Sequence, residues 1–405
     1  MSTGVRGTAS TTAVATIVLI VLTALALRTP FTAVAPLLEG IQRDLGVSTT
    51  FGGVLTTLPV VCLGVFAFVA PRLRQRFGDE RVLLGCLVVL LVGNSVRALG
   101  PAWALLAGTV VVGAGIAVAN VAVPGLIKRD FAERVPVLTA VHTVCMTLGG
   151  ALAASLVVPV GRALDSAWRL PLGLVAVPVL VALLIGAAVL RGRPRAAAAP
   201  PTGSAVLWRV PLAWQVTAFM GTQSSMAYVV FGWLPTMVQA RGLSPAAAGF
   251  ALGVQAAVQA VGSLAVPLLC RRFRDQRGIA VALAALIALG FAGVLLAPAP
   301  GGVWTAVVLL GVAQGAAFGL AVTLFGLRSP DSTTTAALSG MAQGAGYLLA
   351  AAGPLLIGLL RDLTGGWTAP LVLLLGICAA MAVAGLLAGR PLQLDRSARD
   401  AGAEP

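Results

Sequence analysis

The sequence is short of almost everything that soluble chemistry needs. Histidine occurs once, as His142, tyrosine twice, and Asp plus Glu only 13 times in 405 residues. Charged residues make up 10% of the chain, against roughly 25% in a typical soluble domain. A single histidine excludes a histidine-based metal centre. The five cysteines, Cys62, Cys86, Cys145, Cys270 and Cys378, form no C-x-x-C pair and lie almost wholly inside apolar runs. They read as small core residues, not as a disulfide or metal framework. No carboxylate pair, no nucleophile beside a base and no strand-borne phosphate loop is present, which argues against an enzyme or an ATP-driven pump. No cofactor or metal is expected.

What is abundant is apolar surface. Hydrophobic residues reach 59% and the mean hydropathy is +0.99, so the bilayer must solvate most of the chain. Twelve stretches of spanning length are expected: 13–38, 48–71, 82–99, 102–127, 136–161 and 168–190, then 211–239, 245–268, 279–298, 302–327, 335–360 and 367–389. Only Gly100-Pro101 separates the third from the fourth. Arg6, the run from Ala13 to Leu27 and Ala24-Leu25-Ala26 imitate a cleavable leader, but apolar character resumes from Pro30 to Leu38, so this stretch is expected to stay as the first span.

The formal net charge is +14. It comes in short clusters between apolar runs and without a nucleic-acid motif, so it points to loops facing anionic lipid, with no nucleic-acid partner. With the N-terminus inside, 20 of the 27 basic residues fall on the cytoplasmic side and six outside, leaving Arg28 within the first helix. That bias predicts a multi-pass protein of the cell inner membrane or plasma membrane with both termini cytoplasmic.

A linker rich in Pro and Ala, 191–210, divides the chain at its middle. The expected organisation is a six-helix bundle over 1–190, the linker, a second bundle over 211–390 and a cytoplasmic tail over 391–405. The halves repeat. P-x-L-x-x-R-F-x-D-x-R runs from Pro71 to Arg81 and again from Pro267 to Arg277, every element displaced by 196, and Ser48 and Gly53 map onto Ser244 and Gly249. A parallel repeat of two six-helix halves is an all-α membrane architecture.

Asp79 and Arg81 in the first of these loops resemble the signature between helices 2 and 3 of the major facilitator superfamily, with Glu80 where an arginine is usual. Leu27-Arg28-Thr29-Pro30, followed by Val34 and Pro36-Leu37-Leu38, resembles the L-R-P-x-x-x-x-V-G-P-L-L opening helix of the cyanate permease and 2-nitroimidazole transporter family, with Thr29 added and Ala35 replacing the glycine. Further matches surround Pro59, run from Gly115 through Asn120 to Phe131, and from Leu338 to Tyr347. The resemblance implies a transporter of twelve helices in two pseudo-symmetric bundles, a monomer, and alternating access about a central cavity. It also implies that Asp79 with Arg81, and Asp275 with Arg277, latch the cytoplasmic helix ends.

A charge at mid-bilayer is costly, on the order of 2.5–3.5 kcal/mol on insertion scales. None of the carboxylates lies near the midplane, but Arg28 does, about fifteen residues into the first helix, or roughly 22 Å along it. Either a substrate anion neutralises it, which the guanidinium fork suits, or it bonds to carbonyls freed by Pro30 and Pro36. Thr32 lies one turn along the same face. Arg97, near the outer end of helix 3, is expected to snorkel to the interface. Asn120 either lines the cavity or bonds between helices, and His142 either carries a proton or is satisfied neutral. Gln223, Gln314 and Gln343, with Tyr347, either hold the far end of a small polar substrate or bond between helices. Gly311, Gly315 and Gly319, and also Gly340 and Gly344, have the spacing that lets helices approach closely. The leading expectation is a secondary carrier for a small anion or weak acid, cyanate-like or carboxylate. The alternative is an exporter of drug-like or nitroaromatic compounds.

Overall fold

The computed structural model describes residues 4–190, 207–330 and 332–394, and among these it is built of α-helices joined by short turns. Most of the expected linker and tail lies outside the described residues. In chain order the helices are α1 (Gly4–Thr32), α2 (Val34–Leu45), α3 (Thr49–Phe77), α4 (Asp79–Arg97), α5 (Ala102–Asp130), α6 (Val135–Ala163), α7 (Arg169–Leu174) and α8 (Ala176–Leu190). The second half follows with α9 (Pro211–Gln239), α10 (Pro245–Arg272), α11 (Arg277–Leu296), α12 (Pro300–Leu327), α13 (Ser332–Ala350), α14 (Ala352–Thr364) and α15 (Thr368–Ala388).

Fifteen helices make twelve spans because three spans are broken. The breaks fall at Ala33, Val175 and Ala351, and each precedes a proline by three residues: Pro36, Pro178 and Pro354. Proline donates no N–H to the carbonyl four residues back, and its ring presses on that carbonyl. Pro124, Pro159 and Pro235 sit inside unbroken helices, so proline alone does not force a break. Ten spans are long and apolar enough to cross a bilayer on composition alone. The two that miss this mark have visible reasons: α4 carries Asp79, Glu80, Arg81 and Arg97, and α9 carries Thr217, Thr222, Gln223, Ser224 and Ser225. The turn between α4 and α5 lies at Gly100-Pro101 as expected, with Gly100 at φ +106°, a conformation glycine adopts without penalty.

The internal repeat is a structural one. Ser48 accepts from Phe51 N at 3.2 Å and caps α3, and Ser244 accepts from Ala247 N at 3.3 Å and caps α10. Gly53 on α3 faces the Pro354 carbonyl of α14, and Gly249 on α10 faces the Ala154 carbonyl of α6. Each half therefore lends the second helix of its repeat to the other half along a pseudo-twofold pair of seams.

Small residues set the spacing, as transmembrane packing demands. A Cβ on Gly311 would lie 2.6 Å from the Gln255 carbonyl oxygen, on Gly315 1.9 Å from that of Gln259, and on Gly319 3.1 Å from that of Ser263. The glycine stripe thus presses α12 along α10. Gly344 likewise admits the Phe68 ring, whereas nothing packs within 4 Å of a Cβ on Gly340. Large apolar side chains such as Trp103, Leu264 and Leu363 point outward, where lipid is the solvent.

Candidate functional site

The break in the first span builds the centre of the site. Pro30 and Pro36 flank it, and α1 beyond it is pinned to α6. The Thr29 hydroxyl donates to the carbonyls of Leu25 (2.6 Å) and Gly149 (3.4 Å), and that of Thr32 to Gly150 (2.8 Å) and Arg28 (3.3 Å). Gly149 and Gly150 permit this approach: a Cβ on Gly150 would come 2.8 Å from Cγ of Arg28. Arg28 is half-buried and forms no hydrogen bond or ion pair among the described residues. Its guanidinium carbon lies 4.3 Å from the ring centroid of Phe231, a cation–π arrangement.

Aromatic rings from both halves surround this cation. Phe31 of α1 lies 5.4 Å from Tyr228 and 6.2 Å from Phe231 of α9, and Tyr228 lies 5.8 Å edge-on from Tyr347 of α13. Arg28, Phe31, Tyr228, Tyr347 and Gln343 are all half-buried, while Phe231 is buried. The chemical capacity is that of a box with one unpaired, fork-shaped donor in its wall and π faces around it.

The other residues singled out from the sequence divide. Tyr347 joins the box, and its hydroxyl is 3.5 Å from Oε1 of Gln343, whose Nε2 donates to Ser339 at 2.8 Å. Asn120 is half-buried and its side chain carries no hydrogen bond among the described residues. Thr32 is fully buried and its hydroxyl is engaged by Gly150. Gln314 is buried, accepting from Gln255 Nε2 at 2.9 Å, while Gln255 accepts from Gln259 at 3.3 Å, so this chain ties α12 to α10. Gln223 is buried against Ser224 (2.7 Å) and Met220 (3.2 Å). His142 is buried with Nε2 unpartnered.

Arg97 departs from expectation. It does not snorkel. It is 1% exposed and turns inward, donating from Nη1 to the Pro30 carbonyl at 2.9 Å. The role foreseen as one option for Arg28, bonding a carbonyl near the prolines, belongs to Arg97. Phe31 and Phe231 were also missed, because a phenylalanine in an apolar helix carries no signal until neighbouring helices bring rings together.

The loop latches differ too. Asp79 pairs with Arg74, not Arg81, which is exposed and forms no ion pair among the described residues. Glu80 forms an ion pair with Arg129 at 2.5 Å, and Arg129 donates from Nε to Asp130 at 2.7 Å. In the repeat, the position of Arg74 is filled by Cys270 and that of Glu80 by Gln276. Asp275 accordingly turns to Arg277 at 2.6 Å, whose hydrogen bonds hold the Asp275 carboxyl below the usual range. The cross-helix tie passes to Arg328, 3% exposed, which bonds Gln276 and the Ala388 carbonyl (2.9 Å). On this arginine-rich face every ion pair among the described residues stays within one half. On the opposite face the Asp362 carboxylate of α14 accepts from Thr49 N (2.9 Å) and Thr50 N (2.6 Å) of α3, joining the halves.

Known proteins bear on this arrangement. The 2-nitroimidazole transporter of Escherichia coli (strain K12) is 38% identical over 378 residues, covering 93% of this chain and 95% of that protein. The cyanate transport protein CynX of the same organism is 28% identical over 352 residues, covering 87% and 91%. The crystal structure of a D-xylose-proton symporter superposes with a TM-score of 0.76 at 15% identity, covering 95% of this chain and 99% of that one, a likeness of fold. The sequence matches the Major Facilitator Superfamily over residues 19–351. This is a multi-pass membrane transporter of twelve spans that belongs to the major facilitator superfamily.

Proposed function

We propose that the protein is a secondary carrier for a small planar anion or weak acid, moved by rocker-switch alternating access between halves 1–190 and 211–390. The observation that supports it is Arg28: a guanidinium in the aromatic box with no counter-charge among the described residues. A cation held at this depth in the membrane is costly without an anion, and a carboxylate or linear oxyanion completes it through paired hydrogen bonds. The flat rings of Phe31, Tyr228, Phe231 and Tyr347 favour a flat occupant.

In this reading Arg28 and Tyr347 touch the substrate, Gln343 acts through Tyr347, and Asn120 completes the wall. Thr32, Gln223, Gln314 and His142 support the helices. The arginine-rich face is cytoplasmic, and the clusters at Asp79 and Asp275 brace helix ends within a half, with Arg81 outermost. The substrate enters from a cell-membrane setting with both termini inside, and the carrier works as a monomer.

A second reading is export of drug-like or nitroaromatic compounds. The four-ring cluster favours it, since π faces serve a neutral heterocycle as well as an anion, and a relative is named for 2-nitroimidazole. The two separate in a thermal-shift comparison of purified wild type and Arg28→Ala against cyanate, formate, benzoate and 2-nitroimidazole. Stabilisation of wild type alone by an anion supports the carrier of anions. Equal stabilisation of both proteins by the neutral heterocycle supports the exporter and leaves Arg28 a structural residue.

A further inference from the structure

Two arginines, not one, are committed to the broken first span. Arg97 stands on α4, near the end of that helix, and is buried entirely within the protein. Its Nη1 donates to the Pro30 carbonyl at 2.9 Å and lies 3.5 Å from Oδ1 of Asn94. Asn94, itself fully buried, is fixed by its donation to the Leu90 carbonyl at 2.8 Å. The backbone is cut to fit the arginine: a Cβ on Gly108 of α5 would lie 2.6 Å from Cγ of Arg97. No carboxylate pairs with Arg97 among the described residues.

The acceptor it has chosen matters. Helix α1 stops at Thr32 and α2 starts at Val34, so Pro30 lies at the edge of the break, and Pro36 supplies no N–H to the Thr32 carbonyl. A peptide hinge of this kind swivels unless something outside the helix holds it. Thr29 and Thr32 hold it from α6, and Arg97 holds it from α4, on the other flank. Arg28 is two residues before Pro30. Its guanidinium carbon lies 4.3 Å from the centroid of the Phe231 ring.

We propose that Arg97 is the positioning residue of the anion site: through the Pro30 carbonyl it fixes the hinge between α1 and α2, and so the orientation in which Arg28 meets its anion. This rests on the reading of Arg28 as the anion-binding residue.

The test uses full-length protein in proteoliposomes, with cyanate and benzoate as probes, rates being normalised to folded, inserted protein. Arg97→Gln keeps a donor but removes the charge and the reach. It raises the half-saturation concentration by about tenfold or more with the maximal rate within about twofold, and Arg97→Lys, which keeps the charge, recovers part of that affinity. A maximal rate that falls at unchanged half-saturation is the mark of a merely structural residue and overturns the proposal, as does wild-type behaviour. If Arg97→Gln fails to insert, Asn94→Ala loosens the arginine without removing it. A raised half-saturation concentration supports the proposal and an unchanged one overturns it. Arg28→Ala, run alongside, separates the two ideas. Normal transport there ends the anion-site reading itself, whereas loss there with normal Arg97 variants ends only this inference.

Discussion

Asp362 caps a helix that belongs to the other half of the molecule: its carboxylate accepts from the backbone N–H of Thr49 at 2.9 Å, with Thr50 beside it. Free N–H groups and the helix dipole both favour an anion at this end of α3. The contact joins the two halves on the arginine-poor face, and under the alternating-access reading it breaks when that face opens. Replacing a capping carboxylate costs about 1–2 kcal/mol, which corresponds to roughly a tenfold shift between two states. Asp362→Ala is therefore expected to favour the form open on the arginine-poor face. Faster maleimide labelling of a Thr56→Cys probe, which sits against Gly232 at the same seam, would register this, and unchanged labelling would count against the cap as a gate.

Arg28→Ala is expected to abolish transport of the anion probe while insertion and yield stay near wild type, because the side chain makes no hydrogen bond among the described residues that folding would lose. Arg28→Lys keeps the charge but not the planar fork, and is expected to retain little activity. Uptake assays on the two variants decide this, normal uptake by Arg28→Ala being the contrary result.

The reassigned ties on the arginine-rich face make a comparison between neighbours. Arg328 is buried and bonds both Gln276 and the Ala388 carbonyl, whereas Arg277 and Asp275 are exposed partners two residues apart. Arg328→Ala leaves buried acceptors unmatched, a loss of about 1–3 kcal/mol, and is expected to lower the melting temperature clearly. Arg277→Ala is expected to leave it nearly unchanged. Equal effects in the two variants would show that the repeat, not the local geometry, identifies the important residue.

Gly315→Ala is expected to separate α12 from α10, since the new methyl would meet the Gln259 carbonyl at 1.9 Å. Overpacking of this sort costs about 1–3 kcal/mol. Gly340→Ala, with open space around it, is the matched control, and a melting curve of each in detergent distinguishes them.

Some of this was legible in the letters. Hydropathy and the repeat carry the twelve spans, because bilayer thickness leaves few alternatives. The Ser48 and Ser244 caps and the Gly311, Gly315 and Gly319 stripe follow from local rules. Arg28 stands out because nothing else charged sits so deep in an apolar run. The rest depends on which helices become neighbours. Arg97 bonds a carbonyl 67 residues away, and no spacing rule announces a backbone acceptor. Phe31 and Phe231 are anonymous among apolar residues. Gln314 admits either a substrate contact or an interhelical bond on sequence alone, and the Gln255 amide on α10 takes it up in the second way. Asp79 reaches back to Arg74 rather than forward to Arg81, because Gly125 clears a path for the Arg74 side chain, and that clearance lies on another helix.

The lone guanidinium in the aromatic box also has an electrical consequence under the carrier reading. A monovalent anion bound to Arg28 makes the loaded site neutral, so the loaded carrier crosses without feeling the membrane voltage. The empty carrier returns with one uncompensated charge, and the field acts on that stroke alone, with up to about 2.3 kcal/mol per 100 mV. Turnover should then follow voltage through the return of the empty form, and exchange of one anion for another, which skips that return, should be indifferent to it.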